Sequence, residues 1–320
     1  TYNSNTFFAG RDSGVDQFNV IPQISYYSSS GFNATISSAY YQEQDPNWDF
    51  VSLTAGYSNT IGKSRSVHYN VGYSRFFYSD GFDSFNTNLG DLFNDGIEIG
   101  LTTQLFNQKD FNWEISIQAS TFRNKITKIK TPSINGSKRF AEGVSQFDFY
   151  LLHSAGVDPD NGDALFFMYE FDENGESIPI LDANGNQEIT NDWEATERTY
   201  VGKSTVPDLV GSILNSFSYK RLSLEVLFTY QLGGAVLDNG YAAMMHEGDF
   251  GRSLHPDILN AWRQPGDITT IPRAVFGNSD NSRVSTRFIE DASYLRVKAV
   301  TLGYSFSKSA LEKINISALR

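Results

Sequence analysis

Over its 320 residues the chain carries 25 Phe, 17 Tyr and 4 Trp but no Cys, and hydrophobic residues make up only 40%. Disulfide frameworks, thiol catalysis and Cys-bound zinc are thereby excluded, and no run approaches the ~20 apolar residues a membrane helix needs. Acids outnumber bases 37 to 25, and the whole net charge of −12 falls within 156–197, which holds twelve Asp and Glu and no Lys or Arg.

The N-terminal Thr1-Tyr2-Asn3-Ser4-Asn5 has neither the basic nor the apolar region of a signal peptide, as expected either of a cytosolic protein or of a mature or partial chain. From Val15 to Tyr27, Phe18, Val20, Ile24 and Tyr26 alternate with polar residues, and Phe32 to Tyr41 repeats the design after the polar turn Ser28–Gly31. A second pair follows. Val51, Leu53, Ala55 and Tyr57 lead into a turn at Asn59–Lys63, then Val67, Tyr69, Val71 and Tyr73 face one way against His68, Asn70, Gly72 and Ser74. In the third pair, Ile97, Ile99, Leu101 and Leu105 are joined through Asn107–Asp110 to Trp113, Ile115, Ile117 and Ala119. Strict alternation of this kind predicts strands.

Between Gly156 and Glu197 so many like charges cannot share a packed core, which predicts a solvated excursion. The balanced charge elsewhere offers no basic surface for nucleic acid. Strands resume at Val210–Lys220 and Leu222–Leu232, almost without a turn between them, and again at Tyr294–Ser307. In the last of these the apolar register slips by one at Ala299, which predicts a β-bulge. A further strand is expected to begin at Ile316–Arg320, and Asp257–Arg263 is the one short helical turn expected.

Strand length and loop asymmetry decide the class. Soluble strands run about 5 to 6 residues, whereas a tilted strand across a bilayer needs about 9 to 11. The aromatic-rich apolar faces, the Ser, Thr, Asn, Gln and Glu of the opposite faces, and the regular alternation of short turns with long loops predict an all-β, transmembrane antiparallel β-barrel. The segments 124–209 and 234–293 are its long, mostly extracellular loops. A soluble β-sandwich would explain the alternation but neither the strand length nor the loop asymmetry.

No complete catalytic or metal motif appears, and the chain is not expected to be an enzyme. Gly56 to Ser64 imitates a phosphate loop, but its spacer is one residue too long and no helix follows, so it is read as a hairpin turn. His68, His153, His246 and His255 have no metal spacing. Asp182-Ala-Asn184-Gly185-Asn186-Gln-Glu188 alternates oxygen ligands, but its glycine lies too early for an EF-hand calcium loop. It reads as a polar hairpin tip, as does Asp172-Glu173-Asn174-Gly175, and no cofactor is expected. Paired-carboxylate hydrolysis stays open on the abundance of acids alone, since nothing singles out two of them.

The stretch Glu290-Asp-Ala-Ser-Tyr294-Leu-Arg-Val-Lys-Ala-Val-Thr-Leu-Gly-Tyr304-Ser-Phe306 resembles a strand signature of SusC/RagA-type TonB-linked outer-membrane transporters of Bacteroidetes. Asn88-Leu-Gly-Asp-Leu-Phe-Asn94-Asp-Gly96-Ile-Glu98, Gly156-Val-Asp158-Pro-Asp160-Asn-Gly162-Asp163 and Val201-Gly-Lys203-Ser-Thr-Val-Pro207 resemble further family segments. So does Trp262-Arg-Gln-Pro265 through Ile271-Pro272-Arg273. The likeness runs in family order over about 86–320 and is looser over 1–85, where Asp45-Pro-Asn-Trp48 is only similar to a family stretch.

The resemblance implies a portion of a large barrel of about 22 strands, a class whose lumen is plugged. The family's plug domain and TonB box have no counterpart in this sequence, and its closing aromatic strand is not reached. It further implies TonB-dependent import of oligosaccharides or peptides across the bacterial outer membrane, beneath a SusD-like surface lipoprotein that acts as a lid. The partners expected are therefore that lipoprotein, TonB acting through the plug, the substrate and the lipid bilayer. Trp193, Tyr241, His246 and Trp262 are the ligand- or partner-facing candidates on the loops, each with the alternative of packing its own loop. A non-transporting structural or adhesive barrel and a secreted carbohydrate-binding β-sandwich are the competing readings.

Overall fold

The structure, a computed structural model, describes residues 2–3, 19–41, 48–62, 67–78, 90–173, 175–276, 280 and 282–306. Expected features at 15–18, 63–66 and 307–320 lie outside these. Among the described residues no helix is long and apolar enough to cross a membrane.

Nine strands carry the main sheet: β1 (Gln23–Tyr27), β2 (Phe32–Tyr41), β3 (Trp48–Ile61), β4 (Val67–Tyr78), β5 (Gly90–Asn107), β6 (Phe111–Ile129), β7 (Leu209–Tyr219), β8 (Leu222–Leu232) and β9 (Tyr294–Tyr304). Each pairs antiparallel with the next, and among the described residues the sheet is open. Together with short strands at Tyr2–Asn3 and Asn19–Val20, this is part of a transmembrane antiparallel β-barrel. The first strand is shorter than the alternation predicts. Val20↔Tyr40 and Gln23↔Ser37 share one register, but Pro22 between them has no N–H to donate, so the ladder is interrupted there.

Strands β5 and β6 run further than their apolar residues indicate, because pairing continues through charged positions such as Asp95↔Arg123. Leu105 is the extra residue of a bulge beside them. The bulge expected at Ala299 is present one residue earlier: Leu227 faces Ala299 and Phe228 faces Val297, which leaves Lys298 unpaired.

One face of the sheet is apolar and uncovered. Ile99 remains 49% exposed, and Ile97, Leu101, Val71 and Val300 are likewise exposed. A sandwich would bury these rows against a second layer. The opposite face is polar: Ser37 and Ser52 hydroxyls meet at 2.6 Å, Thr102 and Ser116 at 2.9 Å, and Asn124 donates to Asn94 at 2.7 Å. Gly100 belongs to this face because a Cβ there would fall 2.1 Å from the Asn70 amide oxygen and 2.7 Å from that of Gln118.

The described short turns at 28–31, 108–110 and 220–221 lie at one end of the strands. Gly31 N–H donates to Ser28 C=O at 3.0 Å, and Lys220 takes a positive φ of 54° in the tight β7–β8 turn. At the other end lie the excursions 130–208 and 233–293, and here the hydrophobic core is found. Phe149 and Leu151 from the first pack with Leu237, Met245, Ile271 and Phe288 from the second. The acidic excursion is thus folded rather than merely solvated. It encloses Leu152, Ala164 and Phe166 while leaving none of its twelve carboxylate residues buried.

Candidate functional site

The loop layer is organised by the segments that stand out in the sequence, which meet in pairs. In Gly156–Asp163, Asp158 N–H donates to Asp163 C=O at 2.9 Å and Gly162 N–H to Asp158 C=O at 2.8 Å, forming a tight turn. Gly162 has φ +79°, and the Trp262 ring lies against it so closely that a Cβ would stand 2.4 Å away. Trp262 Nε1 donates to Pro159 C=O at 3.0 Å, and Arg273 N–H donates to Gly162 C=O at 2.8 Å. Arg273 Nε and Nη2 both reach Asp163 Oδ1 at 2.8 Å. Two motifs more than ninety positions apart are therefore one clasp.

The second pairing joins Val201–Pro207 to the start of the Glu290–Phe306 stretch around a cleft of about 360 Å³. Lys203, Asp208, Glu290 and Asp291 line it, with Gly233 and Gly234 in positive φ. Ser293 donates its backbone N–H to Asp291 Oδ1 at 2.6 Å, and its hydrogen bonds and the Lys203 charge hold that carboxyl below the usual range. Gly233 N–H donates to Ser293 Oγ at 2.9 Å, tying the two segments together beside the cleft.

The four candidate residues occupy separate places in this layer. Trp193 donates through Nε1 to Asp280 at 3.0 Å and carries the Arg283 guanidinium 3.6 Å over its ring. Tyr241 lies in a short helix, α1 (Asn239–Met244), which Asp238 caps by accepting the Tyr241 N–H at 2.8 Å. Its hydroxyl donates to Asp257 Oδ2 at 3.1 Å, and its ring stands edge-on to His255 and Phe288. His246 is buried, with Nδ1 accepting from Gly248 N–H at 3.1 Å and Asp249 N–H at 2.9 Å. Trp262 belongs to the clasp. Among the described residues no hydrogen bond or ring contact joins any two of the four.

Helix α1 escapes a pattern reading because it is six residues long and contains Gly240. The expected helical turn is a 3-10 segment at Pro256–Asn260, whose N-terminus His255 caps by accepting Asp257 N–H at 3.2 Å. The suspected calcium loop is a hairpin tip in which Asp182 Oδ1 accepts from Asn184 N–H at 2.8 Å and Asn186 N–H at 2.9 Å. Those bonds, led by the one from the Asn186 backbone, lower its pKa. Asp172 accepts from Glu176 N–H in the same way. Among the described residues, no group of three or more His, Asp or Glu is placed to hold a metal ion.

The residues missed by sequence reading are half-buried polar anchors. His153 pairs through Nε2 with Thr199 Oγ1 at 2.7 Å, and burial lowers its pKa. Lys138 donates to Phe147 C=O and lies 3.4 Å over the Phe149 ring, and burial lowers its pKa to about 8. Neither has a periodic or motif signal.

No protein-family model matches the chain. It is 25% identical over 253 residues, 73% of its length, to TonB-dependent receptor P3 of Formosa agariphila. To TonB-dependent receptor SusC of Bacteroides thetaiotaomicron it is 24% identical over 234 residues, 68% of its length. The chain spans about a quarter of the length of these curated relatives, 24% and 21% respectively. Among solved structures, the RagAB peptide importer in its closed-closed state superposes with a TM-score of 0.72 at 20% identity, covering 93% of this chain and 38% of that one. Another RagAB peptide transporter structure gives 0.70 at 17% identity, covering 92% and 41%. In sequence and in fold alike, the chain is similar to part of the TonB-dependent receptor barrel, and the resemblance to SusC/RagA-type transporters read from its motifs is borne out.

Proposed function

We propose that the protein containing this chain imports oligosaccharides or peptides across the bacterial outer membrane, driven by TonB and covered by a SusD-like lipoprotein. One observation carries the reading: the two long excursions pack into a single layer at one end of a lipid-facing sheet, above its polar face. A barrel satisfies its own backbone hydrogen bonds in lipid, and long loops belong to its extracellular side. A folded layer there, rather than loose loops, can hold a substrate and present a fixed surface to a partner. That surface carries uncovered apolar side chains, with Phe250 at 100% and Ile268 at 98% exposure, alongside Leu259 and Phe276. Exposed apolar side chains of this kind suit a protein lid. Trp193, Tyr241, His246 and Trp262 serve this site by shaping the loops, not as a cluster around the ligand.

The test is uptake by cells carrying the full-length receptor. Labelled oligosaccharide or peptide enters only when TonB is present, and Phe250→Asp with Ile268→Asp releases the lipoprotein on purification. Uptake that persists without TonB would overturn energised import in favour of passive passage, and no uptake of either substrate class would favour a structural or adhesive barrel.

A further inference from the structure

The apolar face of the sheet changes character at one level on three neighbouring strands. Across β4, β5 and β6 the outward rows read Tyr73–Ile97–Thr121, then Arg75–Asp95–Arg123, then Phe77–Phe93–Lys125. At about 3.3 Å per residue and a strand tilt of about 40°, the interval from Trp113 to Arg123 on this face rises about 25 Å. That is the height of the apolar band of an outer-membrane barrel. Trp113, stacked with Phe106 at 5.8 Å and Phe217 at 5.3 Å, marks one boundary. The charged row marks the other, on the side of the long excursions.

The row is built to hold its cations outward. Asp95 is 4% exposed and accepts from Arg123 Nη2 at 2.7 Å and from the Tyr73 hydroxyl at 3.3 Å. The Arg123 side chain nevertheless remains 78% exposed, so one edge of the guanidinium is anchored and the rest faces the surroundings. Arg75 lies over the Phe93 ring at 4.3 Å and the Phe77 ring at 5.0 Å. Lys125 is exposed in the next row, and exposed Lys128 stands opposite exposed Asp91. Four cations, Arg75, Arg123, Lys125 and Lys128, face two carboxylates, Asp91 and Asp95. Among the described residues these three strands carry two excess positive charges at this level, although the chain as a whole is at −12.

Excess cation at a lipid boundary, flanked by aromatic rings, calls for an anion that brings its own apolar tail. We propose that this rim binds the phosphate headgroup of an anionic lipid in the leaflet on the long-loop side. Arg123 and Lys125 donate to the phosphate oxygens, Asp95 positions Arg123, and the exposed Tyr73 and Ile97, one row nearer the membrane centre, lie against the adjoining acyl chain. The inference rests on the barrel fold and not on the transport reading.

The experiment uses the intact receptor in a neutral maltoside detergent, mixed with dioleoyl phosphatidic acid or dioleoyl phosphatidylcholine and read by native mass spectrometry. The wild type is expected to retain the phosphatidic acid in preference to the zwitterionic lipid. Arg123→Gln combined with Lys125→Gln weakens retention about thirty-fold, and Lys125→Gln alone, at an exposed side chain whose loss leaves the fold intact, about five-fold. Equal retention by all three proteins, or no preference for the anionic lipid, overturns the proposal. Displacement of the lipid by equimolar inorganic phosphate overturns it in favour of a soluble anion. A receptor dimer lost in the variants while lipid retention holds overturns it in favour of a protein contact.

Discussion

Ile99 on β5 leaves 49% of its surface uncovered, whereas Phe288, in the loop layer above, leaves 1%. Ile99 lies in a long strand ladder and Phe288 ends a short 3-10 turn, and they answer to different solvents. In the sheet the hydrogen bonds are closed strand to strand, and the apolar side chains need only meet lipid. In the loop layer the surroundings are water, so the same kind of side chain must find a protein neighbour, and Phe149, Leu237 and Met245 supply it. Exposure of an apolar residue thus has opposite meanings in two regions of one chain.

The contrast is sharpest under truncation of the loop core. Phe288→Ala is expected to cost the loop layer about 3 to 5 kcal/mol through lost burial and a residual cavity. Hydrogen exchange should then show lost protection at Asp148–Leu151 and Ala235–Leu237, with β5 and β6 amides unchanged. Equal loss in the strands would mean that the two regions fold as one unit.

A smaller effect, opposite in location, follows from inserting charge. Ile99→Arg should destabilise folding into lipid vesicles by about 2 to 4 kcal/mol, the cost of an arginine facing the membrane near its midplane. Ile268→Arg, at an equally uncovered position in water, should stay within about 0.5 kcal/mol of the wild type. Similar values for the two would remove the distinction between lipid-facing and water-facing exposure.

The smallest effect is a pH dependence confined to the loops. Burial lowers the His153 pKa, so the unfolded chain binds the proton more readily than the folded one. The stability it contributes is fully present above the ordinary histidine pKa of about 6.5 and is lost as pH falls towards the lower folded value. Thermal unfolding of the loop layer between pH 7.5 and pH 5 should therefore show a falling midpoint, and His153→Gln should flatten that fall. Asp182 and Asp291, whose pKa values are also lowered, act only around and below pH 4 and leave this window clear.

Much of the sheet was legible because a two-residue period states directly which side chains share a face. The Phe32–Tyr41 strand appears where the alternation places it, and the bulge lies one residue from the expected Ala299. The extensions of β5 and β6 were hidden, since Asp95 and Arg123 interrupt the hydropathy while leaving the ladder intact. The loop layer was less legible still. Its short strands, such as Asp148–Leu151 and Thr199–Ser204, pair across about fifty positions and have no period of their own. Its motifs stood out as residue patterns without showing that Gly162 would seat the Trp262 ring.

What the amino-acid order determined by itself was the two-faced sheet, its short turns and the placing of net charge, all of which depend on near neighbours and a fixed pleat. Only the tertiary structure decided that the two excursions share one core, that the motifs close on each other in pairs, and that Asp95 holds Arg123 outward at the rim. Those outcomes depend on which distant backbones come within hydrogen-bonding reach, and that is set by the barrel's strand order rather than by any local propensity.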